Sequence, residues 1–351
     1  MRIGFVICGD LGLVSGGFHY DRQIIAGLRA AGDEVDVIAL PWWGYGRALV
    51  SSAAPWALDR RRADVDVVVE DELCHPAVLG RNRRLRRAGV PVVSLVHNLT
   101  SRQPRTRARP LVSLCERAYF RGVDAVIAVC EDTLRDVRGC GGAGLPAVVA
   151  RPGREDSGPA AAPGARAPGA LRLVSVGVVA PHKGLHRLLA ALANPVVGDV
   201  TLDVAGSLTA DPSYVASLRR ELGARGLGAV VRLHGELDRR DVAALLRRAD
   251  IFVLPSDREA YPLAALEALG AGLPVLLTEN GGTAELLAGS AAGQLLPPDD
   301  PAAWARVIAE LGHDPARLAA MGQAARARHA AHGPWAETAR VISTFLKSLL
   351  P

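Results

Sequence analysis

One strand–loop–helix–strand unit in the second half of the chain restricts the possible folds more than any other feature. Ile251–Leu254 is an apolar run of the kind that forms a buried strand, and a polar loop follows it. Pro262 suits the first turn of a helix, which Leu263–Leu269 continues, and Leu273–Thr278 is a second apolar run. The unit predicts two strands joined by a helix, and therefore an α/β sheet with a ligand-binding edge.

Two glutamates lie eight positions apart in this unit. Glu259 is in the loop after the first strand, at the edge where open α/β sheets bind ligands. The helix behind it offers free N–H groups and the positive end of its dipole to a phosphate. Glu267 lies about two helical turns further on, where a carboxylate can accept hydrogen bonds from two vicinal hydroxyls. The alternative is a surface helix with solvated glutamates, but the strand–loop–helix context favours a nucleotide-sugar site.

The composition is that of a globular protein with two domains. A length of 351 residues allows each domain to bury its own core, and the mean hydropathy is +0.17. No apolar run reaches the roughly 20 residues of a membrane span, and the first residues predict a strand rather than a signal peptide. We therefore expect a cytoplasmic protein. The five cysteines show no C-x-x-C spacing, which argues against disulfides and zinc.

The beginning of the chain predicts a second sheet. Arg2–Cys8 predicts a strand, Gly16 and Gly17 close a glycine-rich loop, and Tyr20–Ala31 predicts a helix. Paired glycines let the backbone approach a phosphate closely, although such pairs are common in turns of this type. The fingerprint G-x-G-x-x-G does not follow the first strand, which argues against a nicotinamide-dependent dehydrogenase.

Polar side chains follow two further predicted strands. Asp71 and Glu72 come after Val65–Val69, and His97 comes directly after Val90–Val96. A histidine at the carboxyl end of a parallel strand lies on the ligand side of the sheet, but a structural, hydrogen-bonded histidine is an equal alternative. The two carboxylates either orient an acceptor or belong to a solvated loop, and the sequence does not choose between these.

A segment rich in proline, glycine and alanine divides the chain. Residues 151–169 predict an exposed linker between a first domain, residues 1–150, and a second domain, residues 170–334. The second domain opens with a predicted strand, Leu171–Val176, followed by a basic loop that contains Lys183. Lysine occurs only twice in this arginine-rich chain, and a compact ammonium group suits a diphosphate.

The sequence E-A-Y-P-L-A-A-L-E-A-L-G-A-G-L-P-V, residues 259–275, resembles the E-x7-E signature of the retaining glycosyltransferases of the GT-B fold, family 4. The resemblance implies that Glu259 contacts hydroxyls of the donor sugar and that Glu267 contacts the ribose. It places His97 beside the sugar and acceptor, so that Glu259, His97 and Lys183 are the catalytic candidates. The implied contacts to the donor phosphates come from Lys183, Gly16 and Gly17, and from the backbone at Ala260, Tyr261, Pro262 and Leu263.

The implied fold is GT-B, in which two Rossmann-like doubly wound domains face each other across a cleft. The last helix, within residues 335–351, is expected to pack back on the first domain. The implied activity is transfer of a hexose from a nucleoside diphosphate sugar to an acceptor hydroxyl with retention of configuration. No D-x-D motif stands at a plausible donor loop, so we expect no essential metal and no cofactor besides the donor substrate.

The chain departs from the family pattern at Val178, where an arginine is common five positions before the lysine. Two alternatives therefore stay open. One is an NDP-sugar epimerase of the same fold, and the other is a non-catalytic GT-B-like binding protein.

A basic segment between residues 100 and 110 contains Arg102, Arg105, Arg107 and Arg109 together with two prolines. Its charge suits either a mobile basic loop over the acceptor site or, in a basic N-terminal domain, peripheral contact with anionic lipid head groups at the inner face of the membrane, and a solvated loop is the alternative. Nucleic acid is not an expected partner, because aromatic residues make up 4% of the chain and do not alternate with the arginines. The sequence indicates neither the acceptor nor the oligomeric state.

Overall fold

The computed structural model describes residues 1–13, 15–52, 65–103, 106, 108–155 and 171–350, and it divides the chain into two compact units. Unit 1 comprises Met1–Gly153 and Gly333–Pro351, and unit 2 comprises Arg154–His332. The first division falls after Gly153, inside the segment predicted as a linker. Residues 156–169 of that segment, and Arg105 and Arg107 of the basic segment, lie outside the described residues.

Unit 1 alternates strands and helices along the chain. The described strands are β1 (Arg2–Cys8), β2 (Glu34–Leu40), β3 (Val67–Asp71), β4 (Val92–Val96), β5 (Ala125–Ala128) and β6 (Ala147–Val149). The described α-helices before the division are α1 (Gly16–Ala30), α2 (Tyr45–Ser51), α3 (His75–Arg87), α4 (Arg109–Phe120) and α5 (Glu131–Val137).

Unit 2 repeats this alternation. Its described strands are β7 (Leu171–Val176), β8 (Val200–Ala205), β9 (Val231–Gly235), β10 (Ile251–Leu254), β11 (Val275–Thr278) and β12 (Gly293–Leu296). Its α-helices are α6 (Leu185–Leu192), α7 (Pro212–Ala224), α8 (Arg239–Arg248), α9 (Leu263–Gly270), α10 (Gly281–Leu287), α11 (Pro301–His313) and α12 (Pro315–Ala330). The last helix of the chain, α13 (Trp335–Ser348), belongs to unit 1.

Each unit contains one six-stranded sheet in which all pairings are parallel. The strand order is β2-β1-β3-β4-β5-β6 in unit 1 and β12-β11-β10-β7-β8-β9 in unit 2. In both sheets the chain starts in the interior, builds to one side and then returns to build to the other. The two doubly wound α/β sheets predicted from the sequence are confirmed.

Each unit also has its own apolar core. Central strands such as β4 in unit 1 and β10 in unit 2 are buried along their whole length, as expected where helices cover both faces of a parallel sheet. In unit 2 the core includes Trp304, whose indole N–H donates to the Pro297 carbonyl at 2.8 Å. All five cysteines are free and buried, and all five lie in unit 1.

Most predicted strands match the structure, but some helices do not. β1, β7 and β10 have the predicted bounds. Helix α1 begins at Gly16 rather than at the predicted Tyr20, because the Ser15 side chain caps it by accepting from the Phe18 amide. Helices α2, α7 and α10 were not predicted.

Helix α13 packs closely on α1 in unit 1. A Cβ atom at Gly27 would lie 2.4 Å from the Ala339 Cβ, so only glycine allows this approach. The helix is also anchored by two hydroxyls: Thr338 donates to the Arg151 carbonyl at 2.8 Å, and Ser343 donates to Asp33 at 2.9 Å. In the part of the chain that the structure describes, every helix is too short or too polar to cross a bilayer.

Candidate active site

The strand order of unit 2 alone indicates where a ligand binds along its sheet. Strands β7 and β10 are neighbours. After β7 the chain adds β8 on one side of this pair, and after β10 it adds β11 on the other side. Ligands of open α/β sheets bind at such a reversal, at the carboxyl ends of the strands. The loops after β7 and β10 carry Lys183 and Glu259.

Lys183 and Glu259 form an ion pair at this reversal. The Lys183 ammonium group donates to the Glu259 carboxylate with an Nζ–Oε1 distance of 2.6 Å. The two side chains are only 20% and 12% exposed, so the pair is largely shielded from water. Glu259 is therefore not a solvated surface glutamate.

Three contacts next to the pair join the two loops. Gly184 has a φ of +69° and lies so close to Pro255 that a Cβ atom there would be 1.9 Å from the Pro255 carbonyl oxygen. Only glycine fits this position, which explains the glycine that follows Lys183. The Asp257 amide donates to the His182 carbonyl at 2.8 Å, and the Asp257 carboxylate pairs with Arg187 at the start of α6.

The loop of Glu259 is held from its other side by the start of α10. Asn280 caps this helix reciprocally with Thr283, and its Oδ1 also accepts from the Glu259 amide at 3.3 Å. Gly282 lies against the same loop, and a Cβ atom there would be 1.8 Å from the Ala260 carbonyl oxygen. The backbone of Glu259 and Ala260 is thus fixed by a neighbouring helix end.

The predicted phosphate-binding backbone lies between Glu259 and α9. Tyr261 and Pro262 are buried, Leu263 is the first residue of α9, and Leu263 donates to the Tyr261 carbonyl at 3.0 Å. Within the described residues, the Ala260 amide donates no hydrogen bond, so it is available to a ligand oxygen.

Glu267 lies on the second turn of α9 and is largely buried. Burial raises the pKa of its carboxyl group, Arg239 acts in the opposite direction, and Glu155 adds to the increase. Arg239 itself pairs with Glu155 at 3.3 Å. Glu267 is therefore a carboxyl group beside a charged pair, separate from the Lys183–Glu259 pair.

Unit 1 has a second group of polar side chains at the corresponding edge of its sheet. The His97 ring donates from Nε2 to Asp21 Oδ1 on α1 at 3.1 Å. Gly17 lies beside this ring, at a spacing where an added Cβ would be 3.6 Å from it. Gly16 and Gly17 form the first turn of α1 rather than a loop. The structure thus brings Gly17 and His97 together.

Asp71 and Glu72 are buried, so the interpretation of this segment as a solvated loop is wrong. The Glu72 carboxylate accepts from the amides of His97 and Asn98, at 2.9 and 3.3 Å. Burial and the neighbouring charges of Glu72 and Asp21 raise the pKa of Asp71 well above its usual range. Glu72 therefore holds the end of β4, whereas Asp71 accepts from the Leu73 amide at 2.9 Å.

One group of possible metal ligands occurs among the described residues. Asp21, Asp71 and His97 each offer an atom within 4.8 Å of the others. However, His97 Nε2 and Asp21 Oδ1 already satisfy each other, and an ion would have to separate them. We assign no metal to this acidic group.

Two family profiles match the chain. The profile described as Glycosyltransferase Family 4 matches residues 14–154, and the profile described as Glycosyl transferases group 1 matches residues 162–328. The chain belongs to the glycosyltransferases that these two profiles describe. The second profile spans both Lys183 and the Glu259–Glu267 segment.

Curated relatives match this chain over part of their length. The D-inositol 3-phosphate glycosyltransferase of Thermobispora bispora is 38% identical over 145 residues, which are 41% of this chain and 33% of the relative. Glycogen synthase of Mycobacterium tuberculosis is 33% identical over 169 residues, which are 48% of this chain and 40% of the relative. The chain thus matches less than half the length of these relatives.

Solved structures resemble this chain over nearly its whole length. Sucrose-phosphate synthase of Thermosynechococcus elongatus has a TM-score of 0.83 at 21% identity, covering 99% of this chain and 98% of that one. HepE of Anabaena, solved in complex with UDP-glucose, has a TM-score of 0.79 at 18% identity, covering 99% and 100%. At these identities the likeness establishes the GT-B fold.

Two residues that shape these sites were not predicted from the sequence. The Asn280 side chain was not predicted to hold the Glu259 loop, although an Asn before Gly281 and Gly282, with Thr283 three positions on, is a recognisable helix cap. Asp21 was missed because one polar position on an amphipathic helix gives no local signal of a partner 76 residues away.

Proposed function

We propose that this chain transfers a hexose from a nucleoside diphosphate sugar to an acceptor hydroxyl, with retention of configuration and without a metal ion. The observation that carries the proposal is the Lys183–Glu259 pair at the strand reversal of unit 2. A cation and a carboxylate, 2.6 Å apart and shielded from water, suit a ligand that has an anionic group next to hydroxyl groups. A diphosphate joined to a sugar is such a ligand.

Each side chain then has one role. Lys183 stabilises the negative charge of the diphosphate as it leaves, and the Ala260 amide donates to a phosphate oxygen. Glu259 accepts hydrogen bonds from sugar hydroxyls, and Glu267 accepts them from the ribose. His97, Gly16 and Gly17 keep the roles that the family resemblance implies, at the sugar and the phosphates.

The proposed reaction exchanges one bond at the anomeric carbon. The acceptor oxygen bonds to this carbon on the face from which the diphosphate departs. The carbon–oxygen bond to the phosphate breaks, its electron pair stays on the diphosphate, and the acceptor proton passes to a diphosphate oxygen. Positioning and charge stabilisation provide the catalysis.

The Lys183–Glu259 ion pair has a specific consequence for ligand binding. Donor binding has to replace the Lys183–Glu259 contact with a lysine–phosphate and a glutamate–hydroxyl contact. Glu259→Gln removes the competing carboxylate but keeps its shape. The variant should therefore bind a bare nucleoside diphosphate at least as tightly as the wild type, and should transfer sugar at least about tenfold more slowly.

Thermal unfolding with UDP, GDP, ADP, TDP and their sugars tests the donor site. A ligand at 100 times its Kd stabilises a protein by about 2.7 kcal/mol, which raises the melting temperature measurably. Glu267→Ala should abolish the rise, and Glu310→Ala, at an exposed glutamate on α11, is the matched control. If no nucleotide raises the melting temperature, or if Glu267→Ala responds as the wild type does, the donor site is wrongly assigned.

A transfer assay tests the reaction itself. Proton NMR of the product reports whether the anomeric configuration of the donor is retained. Addition of EDTA should leave the rate unchanged. Interconversion of the free NDP-sugar without an acceptor would instead support the epimerase alternative.

A non-catalytic binding protein is the second candidate, because Val178 replaces an arginine that is common in the family. Val178 is half-buried and adds no charge to the loop that carries Lys183. If the wild type binds a donor but transfers nothing, and Val178→Arg gains turnover, the second candidate is correct. Turnover by the wild type excludes it.

We also propose that unit 1 contacts anionic membrane lipids through α4. This helix exposes Leu111 and Leu114, which are 54% and 61% accessible, and the neighbouring Arg117 is also exposed. Apolar side chains beside cations suit a lipid surface. The protein should sediment with phosphatidylglycerol vesicles but not with phosphatidylcholine vesicles. Leu111→Asp with Leu114→Asp should abolish this, whereas Val196→Asp in unit 2 should not.

A further inference from the structure

Asp21 is a buried carboxylate whose position needs an explanation. It lies in α1 with no solvent exposure, and burial of a carboxylate is costly unless it is paired. Its Oδ1 accepts from His97 Nε2 at 3.1 Å, while no described residue bonds to its buried Oδ2. His97 is therefore the only hydrogen-bond partner of this carboxylate in the described part of the chain.

The His97 ring is held from several sides. The Tyr20 ring meets it in a T-shaped contact with ring centroids 5.1 Å apart, and Gly17 lies beside it. The main chain of His97 is fixed as well, because its amide donates to Glu72 at 2.9 Å and its carbonyl accepts from Thr133 Oγ1 at 3.1 Å. These contacts leave the ring little freedom to rotate.

One polar atom of the side chain is left for a ligand. His97 Nε2 is engaged by Asp21, and Nδ1 makes no hydrogen bond with any described residue. The side chain keeps 15% exposure, so the ring is reachable from solvent. The Asp21–His97 hydrogen bond therefore leaves Nδ1 as the nitrogen that faces a ligand. A neutral ring that donates from Nε2 has its lone pair on Nδ1.

The surrounding charges favour the protonated ring. Burial acts to lower the pKa of His97, but the charge and hydrogen bond of Asp21, with a further contribution from Glu72, outweigh it and raise the pKa. The other titratable neighbours are Asp71, a second carboxyl group, and Tyr20, whose own pKa burial raises well above its usual range. In the protonated ring Nδ1 carries a hydrogen and is a donor.

We infer that Asp21 is a positioning residue that fixes the His97 ring and makes its Nδ1–H a charged hydrogen-bond donor to a ligand oxygen. His97 thereby stabilises an oxygen atom rather than removing a proton from the acceptor. The identity of that ligand rests on the proposed function, but the state of the ring does not. An oxygen of a sugar hydroxyl or of a phosphate is the matching acceptor.

NMR titration of the imidazole resonances of the full chain tests the inference without any substrate. In the wild type, the neutral ring should be the Nε2–H tautomer. Asp21→Asn should lower the pKa of His97 by about one pH unit or more, because the opposite charge is lost. Asp33→Asn, at another buried carboxylate of unit 1, is the matched control and should leave His97 unchanged.

Kinetics provide a second readout. Transfer by the wild type should fall as the pH rises through the pKa of His97, and this fall should move to lower pH in Asp21→Asn. A wild-type ring in the Nδ1–H tautomer, or an unchanged His97 titration in Asp21→Asn, overturns the inference. Since the tautomer is read in the wild type, the test holds even if Asp21→Asn does not fold. If no donor is ever transferred, the proposed function fails while the NMR result still decides the role of Asp21.

Discussion

Replacement of Gly282 by alanine tests the close contact between α10 and the Glu259 loop. The added Cβ would lie 1.8 Å from the Ala260 carbonyl oxygen and 2.7 Å from the Glu259 carbonyl oxygen. Real Cβ atoms are essentially never found closer than 3.0 Å to another heavy atom, so one of the two segments must move by at least 1.2 Å. Both contacts are with backbone, which cannot turn away as a flexible side chain can.

The displacement has a cost in stability and in function. Overpacking of this kind costs about 1–3 kcal/mol, which lowers the melting temperature of a unit of this size by roughly 2–12 °C. Because Glu259 and the Ala260 amide belong to the displaced loop, donor binding should also weaken. A misplacement of about 1 Å at a catalytic group can reduce the rate about 100-fold, so we expect a loss of that order in kcat/KM.

Gly223→Ala is the matched control. Gly223 lies in helix α7 of the same unit, and a Cβ atom there would meet no heavy atom within 4 Å. Alanine at this position should be neutral or stabilise by up to about 1 kcal/mol. The measurements are thermal unfolding and calorimetric titration with the donor identified by the nucleotide panel. Equal melting temperatures and equal donor affinities for the two variants would refute the reasoning.

Four further predictions follow from other contacts. Glu70 is fully buried, and burial raises its pKa from 4.5 to about 7, against the smaller opposing effects of Asn82, Tyr119 and Arg81. The native state therefore holds this proton more tightly than the unfolded state, so the contribution of Glu70 to stability is greatest below about pH 4.5 and falls by about 3 kcal/mol as the pH rises to about 7. Glu70→Gln should remove this part of the pH dependence in denaturant titrations. Lys183→Ala should destabilise unit 2 by about 1–3 kcal/mol because Glu259 loses its partner, and Glu259→Gln in the same chain should restore part of it; additive losses in the double variant would contradict the pairing. Trp304→Ala should cost about 3–5 kcal/mol in chemical unfolding, since the side chain is 2% exposed and fills the core of unit 2, and a loss below about 1 kcal/mol would show that the core is wrongly described. Dialysis against EDTA should change neither the melting temperature nor the transfer rate, and restoration of lost activity by a divalent ion would show that a metal is needed.

Local sequence patterns predicted the sheets well because each buried strand is a short apolar run with clear breaks. The bounds of β1, β7 and β10 were predicted without error for this reason. Helix α10 was missed because it starts with two glycines, which have a low helix propensity, and its start depends on the cap from Asn280.

The candidate site was predictable only where its residues are near each other in the sequence. The spacing of Glu259 and Glu267 identified a ligand-binding helix, and the family resemblance added Lys183. The contact between Lys183 and Glu259 joins residues 76 positions apart and depends on β7 lying next to β10. No periodic pattern contains that information, and the same holds for the contact between Asp21 and His97.

The distribution of cysteine gives this protein a practical property. All five thiols are buried in unit 1, and unit 2 has none. A single cysteine introduced on the surface of unit 2 should therefore react alone with a maleimide dye under native conditions, without removal of any native cysteine. Glu279 is exposed and precedes Asn280, so a fluorophore at Glu279→Cys would sit beside the loop of Glu259. Its emission would report occupancy of that loop in real time, for donors and for acceptors added afterwards.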